Sequence, residues 1–291
     1  MSSPFPRLRT SMTPRSPSPE SLSMRVVPSL ALLLFSAAPL FAHDTWIQVD
    51  DALVRTKDAA FVHLMLGNHG NAHRDFKLAS KISPEGWTLA VTDPSGTTSD
   101  VKATIVDIGS TPKEGFWTTR FVTREAGLHL VHHTLDKLHG PTRAVKSAKS
   151  FVLVSDSLDR LKENRLDFRR PLGAPIELIP LTDPVKEACV GLPIRVKLLY
   201  QGNPLANARV SFIPRGATLK EGFDDEFERK TTSEGTAEFT PLQSGWVLVV
   251  VHHLEPDQKG EGYEKTHYSA TLTVSVPEIP RGVPVTTPGS R

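Results

Sequence analysis

The chain has 291 residues, with 34 Lys and Arg against 32 Asp and Glu, 11 His, 24 Pro and one Cys. The length predicts one or two domains, each large enough to bury a core. The near balance of charge excludes the basic surface that holds nucleic acid, and a single Cys excludes both an intramolecular disulfide and a four-Cys zinc site. The chemistry of this chain must then come from His, carboxylate and hydroxyl groups.

The first 42 residues are predicted to be a disordered extension followed by a signal peptide. Residues 1–23 are rich in Ser, Pro and Arg, and a basic start at Met24-Arg25 then precedes an apolar run from Val26 to Ala42. This order is typical of a secretory signal, and the run is shorter than the roughly 20 apolar residues of a transmembrane helix. We expect translation to start at Met1 or Met24 and cleavage near Ala42. The mature protein is then periplasmic or secreted and does not span a membrane.

After residue 43, short apolar runs separated by Gly, Pro, Asn and Asp predict strands. The first series is Thr45–Val49, Ala59–Leu66, Thr88–Val91, Lys102–Asp107, Gly115–Phe121, Leu128–His133 and Ser150–Val154. The second series is Ile176–Pro180, Ile194–Tyr200, Ala208–Ile213, Thr236–Phe239, Trp246–His253 and Ser269–Val276. The predicted fold class is all-β, with two immunoglobulin-like β-sandwich domains in tandem over 43–155 and 174–277. A charged linker (156–173) separates the domains, and a flexible tail (278–291) follows.

Histidines are the main candidates for function, because a neutral imidazole is the commonest protein ligand of late first-row metals. Cleavage after Ala42 would make His43 the first residue, so that it supplies two nitrogen donors, its α-amine and its imidazole. His69 lies in a turn-like Gly-Asn-His-Gly stretch directly after a predicted strand. Loop residues beside a sandwich edge are well placed to bind ligands.

Two His pairs end predicted strands, His132-His133 and His252-His253. Side chains alternate along a strand, so the two members of a pair point to opposite faces. We expect one member of each pair to be functional, and the pattern leaves open which one. No nucleophile elbow, zinc-protease motif or phosphate-binding loop is present in the sequence.

Several short motifs resemble one known family, and their order carries the resemblance. They are Ala42-His43-Asp44-Thr45-Trp46 after the signal peptide, Gly67-Asn68-His69, the run from Gln201 to Val210, the run from Thr232 to Phe239, Gly245-Trp246, His252, and the run from Tyr268 to Val274. The chain resembles exported proteins of unknown function described as periplasmic components of nickel/cobalt uptake systems. The resemblance spans about 43–276 and implies a β-rich metal-binding protein, with His43, His69, His132 and His252 as its candidate ligands.

The leading hypothesis is a non-enzymatic accessory protein that captures Ni²⁺ or Co²⁺, with Cu or Zn as alternatives, and delivers the ion to a membrane importer subunit. One alternative is a module that binds carbohydrate or protein through immunoglobulin-like domains. A second alternative, an oxidative copper enzyme with an N-terminal His chelate, ranks last because the sequence does not identify its remaining ligands.

Overall fold

The structure, a computed structural model, describes residues 43–67, 85–111, 114–158, 161 and 166–281. Its strands form three sheets. The front sheet has the order β1-β3-β7-β6, with bounds β1 (Asp44–Val49), β3 (Ala59–Gly67), β6 (Val106–Thr111) and β7 (Glu114–Val122). The back sheet contains β10 (Ile176–Pro180), β11 (Ile194–Tyr200), β12 (Asn203–Pro204) and β15 (Thr236–Phe239), with β10, β12 and β15 all paired to β11.

The central sheet has nine strands, eight of them in the order β14-β13-β16-β17-β9-β8-β4-β5, with β2 paired to β9. Their bounds are β2 (Leu53–Arg55), β4 (Trp87–Thr92), β5 (Thr98–Asp100), β8 (Gly127–His139), β9 (Thr142–Ser155), β13 (Arg209–Pro214), β14 (Glu228–Lys230), β16 (Gly245–Glu255) and β17 (Lys265–Val276).

The central sheet lies between the other two because both of its faces carry apolar side chains. Along β9, Val152 and Val154 pack against the front sheet, whereas Phe151 and Leu153 pack against the back sheet. This alternation is the period of two that a strand imposes. The result is a three-layer β structure with one hydrophobic core on each side of the central sheet.

The all-β prediction is confirmed, since the described residues contain strands and one short 3-10 helix, Lys102–Thr104. No helix among the described residues is long and apolar enough to cross a membrane. The sequence placed a domain boundary between residues 155 and 174. In the structure β9, before this boundary, runs parallel to β17, after it, in the same sheet. Residues 42–291 form one compact unit.

Two predicted strand limits are wrong. The strand predicted over Lys102–Asp107 is the 3-10 helix followed by β6, because the Asp100 carboxylate accepts the Lys102 amide at 2.7 Å and turns the chain. The strand predicted to end at His133 continues to His139 as β8 and pairs with β9 over its full length. Leu135 is buried in the front core, which extends the strand past the His pair.

Candidate functional site

The first residues of β1 are fixed to the front face of the central sheet. Thr271 on β17 donates its hydroxyl to the Thr45 carbonyl at 2.9 Å, and the Lys146 ammonium on β9 donates to the His43 carbonyl. These two contacts hold the start of β1 across β9 and β17. The predicted new N-terminus therefore lies against the central sheet.

Strand register brings a set of polar side chains together beneath β1. His252, Ser269 and Lys146 are direct partners across β16, β17 and β9, so their side chains share the front face. His267 lies two residues before Ser269 and shares that face. We call His43, Asp44, Lys146, His252 and His267 the Asp44 cluster.

Asp44 and the two histidines form the centre of this cluster. Asp44 Oδ2 lies 3.3 Å from His252 Nε2. The rings of His252 and His267 are stacked, with centroids 5.1 Å apart and planes inclined by 29°. Asp44 is only 8% exposed, whereas the His252 side chain is 42% exposed. The cluster therefore opens to solvent on the His252 side.

The electrostatics keep the cluster ready to act as a set of ligands. Burial raises the pKa of Asp44, but His252, Lys146 and His267 outweigh it and hold that pKa below 3.8. Burial lowers the pKa of His267 to about 4, with His252 and Lys146 adding to the effect. Burial also lowers the pKa of Lys146, against the attraction of Asp44. At neutral pH, Asp44 is therefore a carboxylate and His267 is a neutral imidazole.

One oxygen of the Asp44 carboxylate has no partner. Oδ1 is buried and makes no hydrogen bond, although Oδ2 faces His252. Native proteins satisfy most buried polar atoms, so each exception calls for an explanation. A bound cation is one group that would satisfy this oxygen.

The structure separates the four histidines proposed from the sequence. It brings His43 and His252 into one cluster. His132 lies on the back face of the central sheet, opposite Lys149, with Nε2 3.3 Å from Thr92 Oγ1. His69 lies outside the described residues. Across the described ranges, no group of three or more His, Cys, Asp or Glu side chains is arranged to hold a metal ion.

The other member of each His pair has its own structural partners. His253 points to the back face, where Nε2 lies 2.9 Å from Glu255 Oε1 and the ring lies 4.5 Å from the Tyr200 ring. His133 is buried on the front face, and its Nδ1 donates to the Thr88 carbonyl at 2.7 Å. The alternation predicted for both pairs is confirmed.

Sequence reasoning missed Lys146 and His267. Lys146 is a single charge in an alternating strand, and His267 was grouped with the structural histidines. The signal that places both residues is the pairing of β17 with β16 on one side and with β9 on the other. No local pattern in the sequence shows this register.

Comparisons with solved structures find only distant likenesses. The D0-D1 domain of intimin is 15% identical, with 79% of this chain and 97% of that chain covered and a TM-score of 0.22. A Legionella pneumophila DUF4785 family protein is 9% identical over 70% and 50% of the two chains, with a TM-score of 0.27. The mouse nectin-like molecule 4 ectodomain is 11% identical over 81% and 64%, with a TM-score of 0.22. These TM-scores are too low to support an argument.

No curated protein matches the sequence. One family does match, over residues 40–255, and it is described as a domain of unknown function, DUF4198. This match covers most of the chain and includes His43, Asp44, Lys146 and His252 of the Asp44 cluster. The chain therefore belongs to the DUF4198 family.

Proposed function

We propose that the protein is exported, is processed to begin at His43, and binds Ni²⁺ or Co²⁺ as cargo at the Asp44 cluster for delivery to a membrane importer. The observation that carries this proposal is the buried Asp44 carboxylate, with Oδ1 unpartnered and Oδ2 3.3 Å from His252 Nε2. Leaving a buried charged oxygen without a partner costs free energy. A divalent cation would remove that cost.

The donor types suit a late first-row metal. After cleavage, His43 supplies an amine and an imidazole, Asp44 a carboxylate and His252 a second imidazole. Such nitrogen and oxygen donors bind Ni²⁺, Co²⁺, Cu²⁺ and Zn²⁺. The choice of Ni²⁺ or Co²⁺, and the importer as recipient, come from the family resemblance. His69 remains a predicted additional ligand.

The same donors explain how the cargo would be released. Metal binding needs neutral imidazole and free amine, so protons compete with the metal as the pH falls below about 6.5. Because the His252 side chain is 42% exposed, ligands of a recipient protein can reach the ion from solvent. Release is then a ligand exchange, and we assign the protein no catalytic step.

The first test compares adjacent histidines on opposite faces of β16. Processed protein that begins at His43 is titrated with Ni²⁺ as wild type, His252→Ala and His253→Ala. Loss of one ligand should weaken binding at least about tenfold, or 1.4 kcal/mol, in His252→Ala only. Equal affinities of the two variants would contradict the assignment of His252.

The second test concerns the amine of His43. A single Gly placed before His43 removes this donor but keeps every side chain. We expect Ni²⁺ affinity to fall at least about tenfold relative to the processed form. Unchanged affinity would remove the amine from the site while leaving the imidazoles to be judged by the first test.

A further inference from the structure

A groove of about 1040 Å³ lies on the back face of the central sheet, on the opposite side from the Asp44 cluster. Its floor is formed by β4, β5, β8 and β9, and the chain at 172–175 forms one wall. His132 is on this floor, in register with Ala90 and Lys149. The groove therefore contains the candidate histidine that the metal proposal leaves out.

Paired threonine hydroxyls cover the floor of the groove. Thr88 and Thr134 lie 2.8 Å apart across β4 and β8, and Thr92 and Thr98 lie 2.9 Å apart across β4 and β5. In each pair one hydroxyl donates to the other, so the second hydroxyl keeps a hydrogen to donate and both retain lone pairs. The floor therefore offers donors and acceptors side by side.

The charged groups around the groove are largely neutralised. The Lys149 ammonium is paired with the Glu177 carboxylate, and both side chains are almost fully buried. Glu177 also accepts the backbone amides of Leu172 at 2.6 Å and Gly173 at 3.1 Å, which fixes the wall to the sheet. At the rim, Asp136 is paired with Arg143. A charged ligand therefore finds little uncompensated charge at these positions.

His132 adds a neutral group to the floor. Burial lowers its pKa and nearby Lys149 lowers it further, against a weaker opposing effect of Glu177. The imidazole is therefore uncharged at neutral pH, with one nitrogen that donates and one that accepts. Its Nε2 lies 3.3 Å from Thr92 Oγ1, which links the imidazole to the threonine pairs.

We propose that this groove is a second binding site, for an uncharged, polyhydroxylated ligand with the chemistry of a saccharide. Adjacent sugar hydroxyls each donate and accept, as the threonine pairs and His132 do. An apolar ligand would strip water from the hydroxyls without replacing their hydrogen bonds, at a cost in free energy. The wall residues Leu172, Ala174 and Pro175 offer aliphatic surface to the C–H groups of a sugar ring.

The probes are three neutral disaccharides: maltose, cellobiose and N,N′-diacetylchitobiose. Each is titrated calorimetrically into the full mature protein in buffer containing EDTA, so that the result is independent of the metal proposal. Galacturonic acid is the charged comparison. The proposal expects saturable binding of at least one disaccharide and weaker binding of the acid.

Two isosteric variants locate the binding. Thr134→Val removes a groove hydroxyl at constant shape, and Thr118→Val makes the same change on a half-buried strand position of the front sheet. We expect at least a tenfold loss of affinity in Thr134→Val and none in Thr118→Val; Thr88→Val substitutes for the first if that variant does not fold. No saturable binding up to about 10 mM of any disaccharide, equal affinities of the two variants, or tighter binding of the acid would each overturn the proposal.

Discussion

The Asp44 carboxylate lies 3.3 Å from His252 Nε2, and this contact joins β1 of the front sheet to β16 of the central sheet. Asp44 also attracts Lys146, whose ammonium is almost completely buried and donates to the His43 carbonyl. The predicted N-terminus of the processed protein is thus connected through charge to two strands of a different sheet. Stability and metal binding should depend on the same carboxylate.

Replacing Asp44 should therefore destabilise the fold in a pH-dependent way. Asp44→Asn keeps the shape but removes the charge that compensates Lys146, and we expect a loss of about 2 kcal/mol of unfolding free energy at pH 7. The folded pKa of Asp44 lies below its ordinary 3.8. The stabilisation is therefore present above about 3.8 and is lost as the pH falls through the folded pKa.

Urea denaturation between pH 2.5 and 7 measures this difference. Asp50→Asn is the matched control, because Asp50 also contacts a histidine, His63 at 2.6 Å, but its side chain is 54% exposed. An exposed pair contributes at most about 1 kcal/mol. If both variants lost the same small amount at pH 7, Asp44 would not be the compensating charge of the cluster.

Local patterns in the sequence predicted much of the fold. Ile176–Pro180, Ile194–Tyr200 and Thr236–Phe239 have the bounds that the apolar runs predict. Alternation also separated His252 from His253 correctly. Both features depend on neighbours in the chain, which a single sequence contains.

The composition of the site could be predicted only in part. Lys146 meets His252 because β9 and β16 both pair with β17 in one particular register. His132 and His252 lie on opposite faces for the same reason, although both carry over from the family resemblance. Strand pairing over more than 100 residues of sequence depends on packing in the whole sheet, and the local pattern does not encode it.

The buried His133 should make stability fall in mild acid. Its pKa is lowered to about 4, first by burial, while the Thr88 carbonyl that accepts from Nδ1 opposes the shift. A folded pKa below the unfolded value of about 6.5 means that the unfolded chain binds the proton more readily. Stability is then complete above pH 6.5 and falls by up to about 3 kcal/mol as the pH approaches 4.

His133→Asn removes this titration while its amide can still donate to the Thr88 carbonyl. The variant is less stable at pH 7, but its unfolding free energy should fall less than that of wild type between pH 6.5 and 4. His139→Asn, at the exposed end of β8, is the control and should keep the wild-type slope. An unaltered slope in His133→Asn would show that other groups cause the acid sensitivity.

Gly235 tests a turn that the sequence predicted between β14 and β15. It has φ +73°, and a Cβ added there would lie 2.8 Å from the Leu198 carbonyl oxygen and 3.1 Å from the Leu205 amide nitrogen. Gly235→Ala therefore combines left-handed strain with a backbone clash, and we expect a loss of about 3 kcal/mol.

Gly202→Ala separates the two contributions. Gly202 has a similar φ of +78°, but no atom lies within 4 Å of the position that a Cβ would occupy. The loss there should be about 1 kcal/mol, from backbone strain alone. Thermal or urea unfolding measures both variants, and equal losses would exclude a clash at Gly235.

The buried ion pair between Lys149 and Glu177 gives the largest expected change. It joins β9 to β10, and both side chains are under 5% exposed. Glu177→Gln leaves the Lys149 ammonium buried without a counter-charge, so we expect a loss of about 3–5 kcal/mol in urea denaturation at pH 7. Glu238→Gln, which breaks the exposed pair with Arg195 at 3.4 Å, should cost less than about 1 kcal/mol. The double variant Lys149→Met/Glu177→Gln should recover part of the loss, because it removes the uncompensated charge while the introduced glutamine side chain retains an acceptor for the amides of the groove wall. A double variant less stable than Glu177→Gln alone would show that the wall depends on the ammonium itself, and an effect no larger than that of Glu238→Gln would show that water reaches the pair.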